Sequence, residues 1–208
     1  MARLLRLEDV RASAEGEQPD GYRLLRRGQL NLGLLSLLSL GLMVPAFLFF
    51  VLITAPLGGP LDPGRGWVRP RFGPVDVLLV SVAGLVVLPV IHELIHGAVA
   101  ALCRGRPVYG IGPGVAFCHF RELVGRRCYA AILVAPLVVI SVVGVALVPL
   151  LPAIFGGPLL ALLVSNAAGA VGDVAALLQL RGLPADALIA DTRDGFEVYT
   201  RMGGTADA

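Results

Sequence analysis

The 208-residue chain is 56% hydrophobic and only 15% charged, with a mean hydropathy of +0.81, which excludes an ordinary soluble domain. Its formal net charge of +2 gives no reason to expect a nucleic-acid partner. The composition is that of an integral membrane protein whose principal surroundings are the lipid bilayer.

Residues 1–30 form a charged N-terminal arm. Its L-L-R-L and R-L-L-R-R stretches suit short amphipathic helices on a membrane surface or a solvated tail. A secretory signal peptide is not expected, because a long polar stretch precedes the first apolar run and that run exceeds a signal h-region.

Four apolar runs follow, at roughly residues 32–55, 76–103, 129–155 and 158–180. Each reaches the ~20 residues that a helix needs to cross hydrocarbon. The expected fold is therefore all-α: a four-transmembrane-helix bundle over residues 31–181, followed by a tail over 182–208. Residues 55–75 carry five prolines and five glycines and read as an irregular external linker, with Trp67 as an interfacial anchor. Between the second and third runs, residues 104–128 hold two stretches rich in β-branched and aromatic residues around Gly112-Pro113-Gly114. That pattern predicts a small cytoplasmic-side β-hairpin. The tail reads as a loosely packed loop with one short strand, Gly195-Phe-Glu-Val-Tyr199.

All 17 basic residues are arginines, and 14 of them fall in the arm, the 104–128 loop and the segment from Arg181 to the end of the tail. Arg65, Arg69 and Arg71 alone lie in the external linker. The positive-inside rule then puts both termini in the cytoplasm. Cys103, Cys118 and Cys128 lie in or beside the cytoplasmic loop and read as reduced thiols.

Inside the second run stands P-V-I-H-E-L-I-H-G, residues 89–97. An ionised side chain near the centre of a membrane helix costs about 2.5–3.5 kcal/mol on insertion scales. On a helix, His92 and His96 share a face, with Cβ atoms about 5–6 Å apart, a spacing at which both imidazoles reach one ion. Zinc suits such a pair, and Glu93 sits beside it as a candidate general base. Pro89, one turn earlier, is expected to kink the helix.

Catalytic zinc usually takes three protein ligands. His92 lies 16 residues into the second run and Asp173 lies 15 into the fourth. Both runs cross in the same direction, so the two residues share a depth of about 22–24 Å at 1.5 Å per residue. Asp173 is the preferred third ligand, with His119 and Glu122 as alternatives on the hairpin. Asn166, two helical turns before Asp173, faces the same way. It is suited to bind substrate backbone or an oxyanion, or to bond a neighbouring helix.

His92-Glu-Leu-Ile-His96-Gly97 in one run, with Asn166 and Asp173 in a later one, resembles the site-2 protease class of intramembrane metalloproteases. It is closer to the putative zincin peptidase family of bacterial membrane proteins. The likeness covers roughly residues 76–200 and includes Ala135-Pro136 and Gly195-Phe-Glu-Val-Tyr199. It implies His92, His96 and Asp173 as zinc ligands, Glu93 as the catalytic glutamate and Asn166 as a substrate-holding residue, in a bacterial cell membrane. The site-2 class has prolines between its asparagine and aspartate, whereas this chain has N-A-A-G-A-V-G-D.

The expected function is hydrolysis of peptide bonds in a membrane protein or peptide substrate, with zinc activating water and Glu93 as base. Two readings compete with it. One is a non-catalytic, metal-stabilised membrane scaffold or inactive protease homologue; the other is an ion pathway lined by the same side chains. No oligomeric state is implied.

Overall fold

The computed structural model describes residues 21–29, 31–58, 74–112, 115–120, 122–151, 155–192 and 195–202. Trp67 and the L-L-R-L stretch lie outside the described residues. The chain divides into two compact units. One contains Glu93–Ala135, Gly172–Ala208 and the N-terminal segment to Asn31, and the other contains Leu32–His92 and Pro136–Val171.

The first unit is built on a four-stranded antiparallel sheet. Strand β1 (Tyr22–Gln29) leads into the helices. The hairpin strands β2 (Pro107–Gly112) and β3 (Val115–Phe120) form a separate two-stranded sheet, and β4 (Val124–Gly125) follows them. Strands β5 (Leu188–Thr192) and β6 (Gly195–Arg201) end the described chain, and the larger sheet runs in the order β1-β6-β5-β4. The hairpin forms where Gly112-Pro113-Gly114 predicted it, pairing Pro107 with Phe120 and Gly112 with Val115.

Two expectations for this unit are corrected. R-L-L-R-R is part of strand β1, not an amphipathic helix: Arg23 pairs with Thr200 and Arg27 with Glu197. An irregularity between Leu24 and Arg26 turns Leu25 outward while Leu24 packs on Tyr199 and its neighbours. Nor is the tail a loose loop with one strand. Ile189 and Val198 are fully enclosed and Phe196 almost so, in a core shared with Phe120, Val124, Tyr129 and Ile132. Burying such a side chain contributes about 1.5–3 kcal/mol each, which is why the tail packs.

In the second unit, helix α1 (Leu32–Thr54) packs Ala46 and Phe50 against Leu160, Leu163 and Val164 of helix α5 (Gly156–Gly169). Ser39 Oγ donates to the Ala168 carbonyl. Helix α2 (Pro74–Val82) runs into a π turn over Ala83–Val87 and then helix α3 (Leu88–Leu102). The expected distortion at Pro89 is taken up here, upstream of the proline. Pro89 has no N–H and its ring crowds the carbonyl four residues back, and the Leu88 N–H reaches one residue further, to the Ala83 carbonyl.

Helix α4 (Arg126–Leu147) carries Pro136, and helix α6 (Val171–Gln179) follows α5 after a break at Ala170, whose ψ is 4°. Among the described residues, three helical stretches are long and apolar enough to cross a membrane: Gly33–Leu57, Arg126–Leu147 and Gly156–Gln179. Their outward residues are large and apolar, with Leu37, Leu40, Leu52 and Val142 all more than half exposed. Such surfaces suit lipid rather than water, and they mark a membrane protein.

Candidate metal centre

Helix α3 carries three of the ionisable side chains of interest. His92 and His96 are one turn apart on it, and each ring is held by a carbonyl oxygen. His96 Nδ1 lies 2.8 Å from the Ile132 carbonyl oxygen, and His92 Nδ1 lies 3.2 Å from Asn166 Oδ1. Both acceptors lack a proton, so Nδ1 is the donor in each ring and the ring lone pair is on Nε2. That tautomer, fixed by a second hydrogen bond, is the one that imidazole metal ligands adopt.

Asp173 comes from the first turn of α6. Its Oδ1 lies 3.4 Å from His96 Nε2, and one ligand atom from each of His92, His96 and Asp173 falls within 4.8 Å of the others. Two ligands about 2.1 Å from a tetrahedral zinc stand about 3.4 Å apart. The His96–Asp173 spacing already matches that edge. Two imidazole nitrogens and a carboxylate oxygen are a donor set that zinc accepts, so the residues present could hold this ion.

Glu93 reaches the hairpin, where its Oε2 accepts the backbone N–H of Cys118 at 2.7 Å. One turn further along α3, Gly97 is buried. A Cβ there would stand 2.1 Å from the Tyr109 hydroxyl oxygen, so the glycine leaves the space that the end of this side chain fills. The Cys118 thiol is pushed up to about 12, first by burial and then by the nearby Glu93 and Asp191 charges.

The hairpin residues named as alternative ligands are engaged elsewhere. The His119 ring stacks on Phe117 at 5.7 Å. Glu122, 6% exposed, accepts the Arg106 N–H at 2.7 Å through Oε2 and so ties the base of the hairpin. Among the described residues the metal-capable group is His92, His96 and Asp173.

Asn166 is 2% exposed, and its Nδ2 has no partner among the described residues. Its first neighbour is His92, which gives it an orienting contact that the spacing of the sequence left as one of two options.

Asp191 of β5 is the residue that sequence reasoning passed over. It accepts the Tyr129 hydroxyl at 3.1 Å. Burial pushes its carboxyl up to about 7, against the pull of the Tyr129 bond and His96, with Glu93 and Asp173 adding to the rise. An acid at the end of an apolar strand was the only signal, and it resembles any strand terminus.

A family profile described as putative zincin peptidase matches residues 85–188, half of the chain, and spans both H-E-L-I-H and Asp173. The chain belongs to the putative zincin peptidase family. In this family member the matched segment also includes Asn166, the β2–β3 hairpin and Ile132, the parts that hold the two histidines and Glu93. No curated protein and no solved structure matches the chain.

Proposed function

We propose that the chain is an intramembrane zinc metallopeptidase of the site-2 protease type, with His92, His96 and Asp173 as ligands and Glu93 as general base. The observation that carries this reading is the convergence of the three donors, with both histidines turned to present Nε2.

The proposed topology has four crossings, the second made by residues 74–102 and both ends cytoplasmic. It is supported by the membership of the larger sheet, which joins β1, before α1, to β4, after α3, and to β5, after α6. Strands that pair lie on one side of a bilayer, so a crossing by α1 needs a return before β4. The α2–π–α3 segment supplies it, and its 29 residues span about 43 Å as helix. The fourteen arginines of the arm, the hairpin loop and the segment from Arg181 onward support that side as the cytoplasmic one.

Zinc held at this centre would supply Lewis acidity toward water and a peptide carbonyl. Asp173 and the two histidines set its place, and the Asn166 and Ile132 oxygens keep the rings from turning. Glu93 takes a proton from the attacking water and delivers it to the leaving amine. The Asn166 amide donates through Nδ2 to the reacting carbonyl as it gains charge, a role supported by the lack of a partner for Nδ2 among the described residues. Substrates are membrane proteins or peptides whose scissile segment has unwound, because a helix hides its carbonyls. The outer edge of the hairpin offers such a segment a strand to pair with.

The test is Glu93→Gln in the purified full chain. The peptidase reading predicts loss of proteolysis by about 10²–10⁴-fold with zinc retained. Wild-type cleavage by this variant contradicts it, and a zinc-loaded wild type that cuts no unwound peptide favours the scaffold reading.

A further inference from the structure

Tyr109 and Cys118 face each other across the β2–β3 ladder, and both reach α3. The Tyr109 hydroxyl rests on Gly97, and the Cys118 N–H donates to Glu93 Oε2 at 2.7 Å. Glu93 and Gly97 are one helical turn apart, so the hairpin is seated on a single face of the helix.

A backbone amide has one hydrogen. At Cys118 that hydrogen is directed at Glu93, outside the ladder with β2. In antiparallel pairing, amide and carbonyl of a residue point to the same side of the strand, so β3 turns its outer edge toward the helix of the metal centre at Cys118. Outer-edge amides are the groups that an added strand engages. A carboxylate and an incoming carbonyl cannot both take this hydrogen at full strength.

We propose that an extended polypeptide segment adds to β3 at Cys118, takes the Cys118 N–H for its own carbonyl, and thereby releases Glu93 to act as base. The inference rests on the reading of Glu93 as that base. One hydrogen bond is exchanged for another, and no proton changes owner. In the resting protein the hairpin holds the carboxylate. The substrate class is a chain that can present at least one strand residue beside the scissile bond, and a helical segment qualifies only after unwinding. The proton acceptor is thus unlatched by the same contact that positions the substrate.

The test uses the zinc-loaded full chain and Cys118→Pro. Because this N–H lies outside the ladder, proline removes the Glu93 bond and spares the β2–β3 bonds. The first probe is an acetylated dipeptide anilide, too short to add as a strand. The second is a decapeptide of alternating valine and threonine with one reduced, uncleavable amide at its centre. The proposal predicts that Cys118→Pro raises turnover of the anilide about tenfold, in line with loss of a charge-assisted hydrogen bond, and weakens decapeptide binding. In the wild type, the decapeptide shifts the infrared carboxylate band that is missing from Glu93→Gln. Lower anilide turnover in Cys118→Pro makes the amide a positioning group and overturns the latch. Decapeptide binding with an unmoved Glu93 band overturns it too, and this wild-type measurement decides the matter if the proline variant does not fold. Failure of the underlying reading looks different: Glu93→Gln then cleaves the anilide at the wild-type rate.

Discussion

Asp173 Oδ1 stands 3.4 Å from His96 Nε2, although the two residues belong to apolar segments far apart in the sequence. The aspartate starts a new helix after the break at Ala170, and the histidine lies one turn beyond His92. A buried carboxylate at such a position is costly, and a cation shared with the histidines would offset that cost.

Asn166 is predicted to set zinc affinity through His92. Asn166→Ala removes the acceptor from His92 Nδ1 and lets the ring turn. Competition with a chelator should show zinc held about 10–100-fold more weakly, with the fold intact by circular dichroism. Unchanged affinity would mean that the asparagine serves substrate alone.

Gly97→Ala is predicted to displace the Tyr109 side chain from its seat on α3. The added methyl would meet the Tyr109 hydroxyl at 2.1 Å, and an overpacked contact of this kind costs about 1–3 kcal/mol. Thermal unfolding in detergent should detect it. Adding Tyr109→Ala should recover part of the loss, since the two side chains compete for one space. Additive effects in the double variant would contradict the contact.

Asp191 predicts a pH dependence of the metal-free protein. Its folded-state pKa of about 7 stands above the ordinary 3.8, so the folded state binds the proton more tightly. The resulting stabilisation is complete below pH ~4 and declines as pH rises toward 7. Melting temperature should therefore fall from pH 5 to pH 8 more steeply in the wild type than in Asp191→Asn, which keeps an acceptor for Tyr129. Parallel profiles would contradict the shift. Zinc should flatten the wild-type profile, because a nearby cation favours the carboxylate.

The part of the centre that depends on local spacing was legible in the sequence. The four-residue spacing of His92 and His96 fixes a shared helix face, and the choice of Asp173 from rise per residue agrees with the group the three side chains form. Gly112-Pro113-Gly114 likewise announces its hairpin. What was not legible is non-local. R-L-L-R-R has the charge of a tail, and its strand partner is β6, with Arg27 bonded to Glu197 across 170 residues. L-I-A-D-T becomes a buried strand only because β4 and β6 flank it. The π turn was displaced from the proline that causes it, and the break at Ala170 has neither proline nor a positive-φ glycine to mark it. The hold of Cys118 on Glu93 is a backbone contact and leaves no trace in residue types.

The most direct test of the account is anomalous scattering at the zinc edge from crystals of the purified full chain, with elemental analysis of wild type, His92→Ala and Asp173→Ala alongside. The account predicts one strong peak about 2.0–2.2 Å from His92 Nε2, His96 Nε2 and an Asp173 oxygen, and zinc lost from both variants. A wild type that binds no zinc, or a peak held by other side chains with Asp173 turned away, would contradict it.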